Sequence, residues 1–105
     1  MLDEEKLRKI TDLLRQAARP RKILLFGSHA RGEASGNSDL DILVVETQCS
    51  DRAAEVVRLA RLLSPLRVPV DLLVVSEDHF RYWCDTPGNV YYEALNHGRV
   101  LYEAT

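Results

Sequence analysis

Cysteine, methionine and large aromatics are scarce in this chain: 2 Cys, 1 Met, 1 Trp and 2 Phe in 105 residues. Cys49 and Cys84 form no CxxC pair and no even framework. That excludes a zinc-knuckle spacing and a disulfide-stapled scaffold, and both are expected as free thiols in a reducing compartment. A disulfide between the two stays open. No apolar run approaches the ~20 residues that cross a bilayer. The opening MLDEEKLRKI is charged throughout, unlike a secretory leader. A cytoplasmic protein without membrane contact is expected.

Charge of one sign is missing too. There are 14 Lys/Arg and 16 Asp/Glu, for a net charge of −2. That balance gives no strong pull toward nucleic acid or a lipid surface, and no direct nucleic-acid binding is expected. Residues 1–22 hold seven basic and four acidic side chains. Such a bias can favour a phosphate-bearing ligand, but a solvated helix face explains it more simply. GxxxxGK[ST] is absent, which excludes a P-loop NTPase. There is no internal repeat, low-complexity tract or linker, and the length suits one compact domain over 1–105.

What is present is a core and a pattern. The hydrophobic fraction is 46%, enough for a folded interior. Leu7, Ile10, Leu14 and Ala17 recur at helical spacing, which predicts a helix over 3–18 ended by Pro20. KILLF (22–26) reads as a buried strand. A Gly-rich loop follows, with one helical turn at 28–31. LDILVV (40–45) is a second strand. Val56, Leu59, Ala60 and Leu63 predict a helix over 51–64, and Pro65 and Pro69 bracket a loop. VDLLVV (70–75) is a third strand. A helix over 89–96 ends at Gly98 as its C′ residue, and a short RVLY run follows. Phe80 and Trp83 are expected as packing residues. The fold class is α/β, with helices on a small sheet.

Two aspartates sit where strand residues are expected. Asp39 and Asp41 are two apart, so they point to one face. A strand–helix–strand crossover makes parallel neighbours, which puts Asp41 and Asp71 at the same end of the sheet. If the first strand runs antiparallel, Gly27 and Ser28 arrive there as well. Like charges ~4 Å apart repel by roughly 1 kcal/mol in water and ~4 kcal/mol near a protein surface. The immediate runs offer no Lys or His as a counter-charge. Hard oxygen donors favour Mg²⁺ or Mn²⁺, and two such ions can clamp an in-line displacement at phosphorus. Gly27 lets a phosphate approach the backbone, and Arg31 can add a fixed positive charge.

Blander readings stand beside these. Gly27-Ser28 also reads as a turn with an N-cap serine, Asp39 as a turn acid after Ser38, and Arg31 as a structural ion-pair partner. An acid inside a strand is costly without a partner, and Asp41 and Asp71 both raise that objection. His29, His79 and His97 are scattered, which suits surface or capping roles.

Taken together, GSHARGEASGNSDLDILV followed by VDLLVV resembles the nucleotidyltransferase superfamily that includes DNA polymerase β. The ending YYEALNHGRVLYE resembles its small stand-alone members, the minimal nucleotidyltransferases. The resemblance covers nearly the whole chain. It implies a polymerase β-like fold with a small mixed β-sheet flanked by helices. It implies that Gly27 and Ser28 hold the triphosphate of ATP, with Arg31 and Ser38 as further nucleotide-binding candidates. It implies Asp39, Asp41 and Asp71 as the catalytic acids and ligands of two Mg²⁺ ions, Asp71 also activating the attacking hydroxyl. Members of this size resemble antitoxins that transfer AMP from ATP to a tyrosine of a helical HEPN-domain RNase toxin. Two alternatives remain open: a non-catalytic antitoxin that acts by covering its partner, and transfer to a small-molecule alcohol.

Overall fold

The computed structural model describes residues 3–32 and 39–104. Helix α1 (Glu4–Ala18) starts where Asp3 caps it, its carboxylate accepting from the Glu5 and Lys6 amides at 3.1 and 3.2 Å. It ends at Arg19, held left-handed at φ 47° just before Pro20. Strand β1 (Lys22–Phe26) leads directly into the short helix α2 (Gly27–Arg31). Strand β2 (Leu40–Glu46), helix α3 (Arg52–Leu63), a 3₁₀ turn (Ser64–Leu66) and strand β3 (Val70–Ser76) follow. Helices α4 (Glu77–Trp83) and α5 (Val90–His97) and strand β4 (Arg99–Glu103) complete the chain.

The sheet is mixed, in the order β3-β2-β1-β4. β2 and β3 are parallel, as the α3 crossover requires, and β1 is antiparallel to both β2 and β4. Strand alternation divides the core. On one face Ile23, Leu25, Ile42, Val44, Leu72 and Val74 pack with Leu7, Ile10 and Leu14 of α1 and Leu59 and Leu63 of α3. On the other, Leu24, Leu43, Val45 and Val75 pack with Phe80, Cys84 and Ala94 from the α4–α5 segment. No described helix is long and apolar enough to cross a membrane.

Some elements depart from the sequence reading. No helix is expected over 77–83, yet α4 forms there. It is only seven residues long, too short for a periodic signal. Its start is marked instead by Ser76, whose Oγ accepts from the His79 amide at 3.3 Å, and by Glu77 and Asp78 in the first turn. Phe80 is buried as expected, but Trp83 is 40% exposed. Gly98 is not a left-handed C′ residue: its φ is −89°. Glycine is needed there for space, because a Cβ would collide with the Ala94 carbonyl oxygen and lie 2.7 Å from that of Leu25. Ala60, expected on the buried side of α3, is exposed.

Candidate functional site

The register of the sheet builds the site. Phe26 of β1 lies opposite Asp41, and Asp41 lies opposite Asp71. One transverse row therefore carries both strand acids, on strands about 4.8 Å apart. Asp39 lies just before β2 and is exposed. The chain leaves β1 at Phe26 and turns at once through Gly27, which has φ +72°. Only glycine adopts that conformation without strain. Gly27 is also pressed against the second aspartate: a Cβ there would overlap Asp41 Oδ2 and lie 3.1 Å from Asp41 Cγ. The loop and the acid are fitted to each other. Ser28 is half-buried in α2, which packs against β1, β2 and α5.

The electrostatics follow from that crowding. Partial burial pushes the Asp41 carboxyl above its ordinary value, and the negative charges of Asp71 and Asp39 push it further. His29 and Arg31 pull the other way. So three acids and two nitrogen bases share one local field. Asp41 is half-buried, whereas Asp71 is exposed. The burial objection raised by the sequence therefore holds for Asp41 and fails for Asp71, because β3 is an edge strand and this end of it is uncovered.

Gly27, Ser28, Arg31, Asp39, Asp41 and Asp71 are thus brought to one end of the sheet. Ser38 lies outside the described residues. His29 is the residue that sequence reasoning missed. In sequence His29 reads as one of three scattered histidines, whereas in the fold its charge acts on Asp41. The available signal was its place in α2, two residues after the glycine that touches Asp41.

Among the described residues, no three or more His, Cys, Asp and Glu side chains are gathered into a ready-made metal cage. Asp41 and Asp71 instead offer hard oxygen donors from adjacent strands, with Asp39 beside them. Mg²⁺ is usually bound by one or two carboxylates together with substrate phosphates and water. The donor chemistry fits an ion completed by its substrate.

Comparison with known proteins identifies the family. A protein of Methanocaldococcus jannaschii named "Putative protein adenylyltransferase" is 33% identical over 104 residues, covering 97% of this chain and 100% of that one. The crystal structure of a toxin–antitoxin with AMP-PNP is similar at 29% identity and a TM-score of 0.66, covering 99% of this chain and 76% of that one. A structure of tri-AMPylated Shewanella oneidensis HEPN toxin in complex with MNT antitoxin is similar at 25% identity and a TM-score of 0.62, covering 98% and 74%. The family profile described as "Polymerase beta, Nucleotidyltransferase" matches residues 8–105. With nearly the whole chain matched, and with the acids of β2 and β3 in register beside the Gly27 turn, this protein belongs to the polymerase beta nucleotidyltransferase family.

Proposed function

We propose that the chain is a Mg²⁺-dependent protein adenylyltransferase that moves AMP from ATP onto a tyrosine of a HEPN-domain toxin, and so acts as its antitoxin. One observation carries the reading: Asp41 and Asp71 stand opposite each other in the sheet while Gly27 lies against the Asp41 carboxylate. Acids and a phosphate-admitting turn meet at one point. The names of the similar proteins favour a protein acceptor and a HEPN partner.

Divalent ions bound by Asp39, Asp41 and Asp71 would neutralise charge on the triphosphate. The chain's own residues do the rest. The Gly27-Ser28 turn seats the polyphosphate, with Arg31 beside it as a fixed cation. The tyrosine oxygen bonds to the α-phosphorus, the bond from that phosphorus to the bridging oxygen breaks, and pyrophosphate leaves. The phenol proton passes to the Asp71 carboxylate, whose exposure leaves room for an incoming side chain. Little covalent chemistry is asked of the protein beyond positioning and charge.

A second reading is neutralisation by coverage, with catalysis secondary. Tyr82 at 74% exposure and Trp83 at 40% favour it, because adjacent exposed aromatics suit an interface. Intact-mass spectrometry separates the two. The protein is mixed with Mg²⁺, ATP and the HEPN-domain protein of the same genome, beside an Asp39→Ala/Asp41→Ala variant. A gain of one or more AMP units on the partner, absent with the variant, is expected. A tight complex with no adduct overturns the transferase in favour of coverage.

A further inference from the structure

The row of residues behind the acids is covered at one end and bare at the other. Leu24, Leu43 and Leu73 lie opposite one another across β1, β2 and β3, on the same face as Asp41 and Asp71. Leu24 is 1% exposed and Leu43 is 0% exposed, in the core completed by Phe80, Cys84 and Ala94. Leu73 is 36% exposed. The next row recloses, because Val45 and Val75 are both buried. The gap in the cover is therefore local: it lies on the edge strand, one row behind Asp71.

We infer that Leu73 is a positioning residue for the acceptor, the apolar seat on which the ring of the acceptor tyrosine lies while its hydroxyl reaches Asp71. This rests on the adenylyltransferase reading above and adds the acceptor's side of the same site. Leu73 and Asp71 are two residues apart on one strand, so their side chains leave one face about 7 Å apart. That is close to the reach of a tyrosine side chain from its Cβ to its hydroxyl. A ring placed along β3 covers Leu73 with its body and presents its oxygen to Asp71. The proposed function puts the nucleotide on the opposite flank, where the chain leaves β1 and Gly27 lies against Asp41. β3 is the sheet edge away from that turn, so an acceptor arriving along β3 reaches Asp71 without crossing the Gly27 turn. A serine or threonine acceptor would leave Leu73 bare, which makes the residue a source of discrimination among hydroxyls.

The test is steady-state AMP transfer to the HEPN-domain protein of the same genome, by wild type, Leu73→Ser and Leu73→Met. Leu73→Ser is expected to lower kcat/KM for the acceptor about tenfold, the scale of losing a few methylenes from an apolar contact. The loss should fall on the acceptor's KM, with the KM for ATP unchanged. Leu73→Met should stay within about twofold of wild type, since Met replaces Leu in apolar contacts with small loss. A Leu73→Ser enzyme as efficient as wild type overturns this inference and leaves the transferase standing. A parallel rise in the KM for ATP also overturns it, since that marks a general disturbance of the site. A wild-type enzyme that transfers nothing removes the underlying reading, and this inference with it.

Discussion

β2 carries a carboxylate at each end, and the two ends treat it in opposite ways. At its start Asp41 is half-buried, faces Asp71 and Asp39, and is pushed upward by burial and by their charges. At its finish Glu46 is 7% exposed and its carboxyl is pushed up to about 8, first by burial and then by Glu55. The finish balances its charge inside the fold. Glu46 keeps a proton beside Glu55, and its buried Oε2 has no hydrogen-bond partner among the described residues. Glu55 in turn is held down to about 2, chiefly by Arg58, which donates to it at 2.7 and 2.8 Å. One neutral acid, one carboxylate and one guanidinium leave no net excess of negative charge. Among the described residues the start keeps an excess, three acids against His29 and Arg31. A structural acid is balanced by its neighbours, whereas under the proposed function the acids at the start are balanced by what binds.

The strongest way to break that contrast is Asp41→Asn. It should remove AMP transfer by about a thousandfold, the scale of losing one key electrostatic group from a reaction centre. In metal-free buffer at neutral pH the same variant should melt higher than wild type. The folded state holds Asp41 above its ordinary value, so its ionised form opposes folding and a neutral amide relieves that. Transfer is read by intact mass and stability by thermal unfolding. An Asp41→Asn protein that melts lower without metal would mean that His29 and Arg31 already balance the cluster.

The legibility of the two ends also differs. The acid row could be read in advance because strand alternation and the parallel crossover fix which residues share a face and an end. Asp39, Asp41 and Asp71 needed nothing finer. The exposure of Asp71 and Leu73 was hidden, because edge position and helix cover are tertiary facts. The role of Gly27 was half visible: its freedom could be expected, but its contact with Asp41 could not. Nothing in the sequence marks Glu46. An acid one residue past LDILVV reads as the surface end of a strand, and only α3 laid over it makes it a buried group. Helix α4 leaves no periodic sequence signal, because one buried aromatic, Phe80, sets no spacing.

Two glycines sharpen the comparison at the next scale of effect. Gly27 and Gly32 have nearly the same backbone, φ +72° and +74°. A side chain at either costs roughly 1–2 kcal/mol of left-handed strain. At Gly32 a Cβ meets nothing within 4 Å among the described residues, whereas at Gly27 it overlaps the Asp41 carboxylate. Gly32→Ala should therefore lose that much stability and retain its transfer rate. Gly27→Ala should lose at least as much and also about a hundredfold in transfer, the cost of displacing a reacting group by an ångström. Chemical denaturation and the mass assay measure the two separately. Equal rates for both alanine variants would show that the Asp41 position is not held by the turn.

The smallest effect belongs to the balanced end and appears only as a dependence on pH. In the unfolded chain Glu46 loses its proton near 4.5, while in the folded chain it keeps it to about 8. Between those values folding takes up a proton, so stability is fully present below the lower value and declines as the pH rises toward the upper one. Glu55 has the opposite sign: held at about 2 when folded, it adds stability as the pH climbs from there to 4.5. The pair therefore favours mildly acidic conditions. Glu46→Gln keeps the side chain's size and shape and removes the titration. From pH 5 to pH 8 the wild-type melting temperature should fall further than that of Glu46→Gln, by on the order of 5 °C. Cys49 lies in the same field, its thiol pushed up by burial and by both glutamates, so its reactivity toward a thiol reagent at pH 8 should rise once Glu46 is an amide. Parallel melting curves for the two proteins would mean that water reaches Glu46 and that this end of β2 is as open as the other.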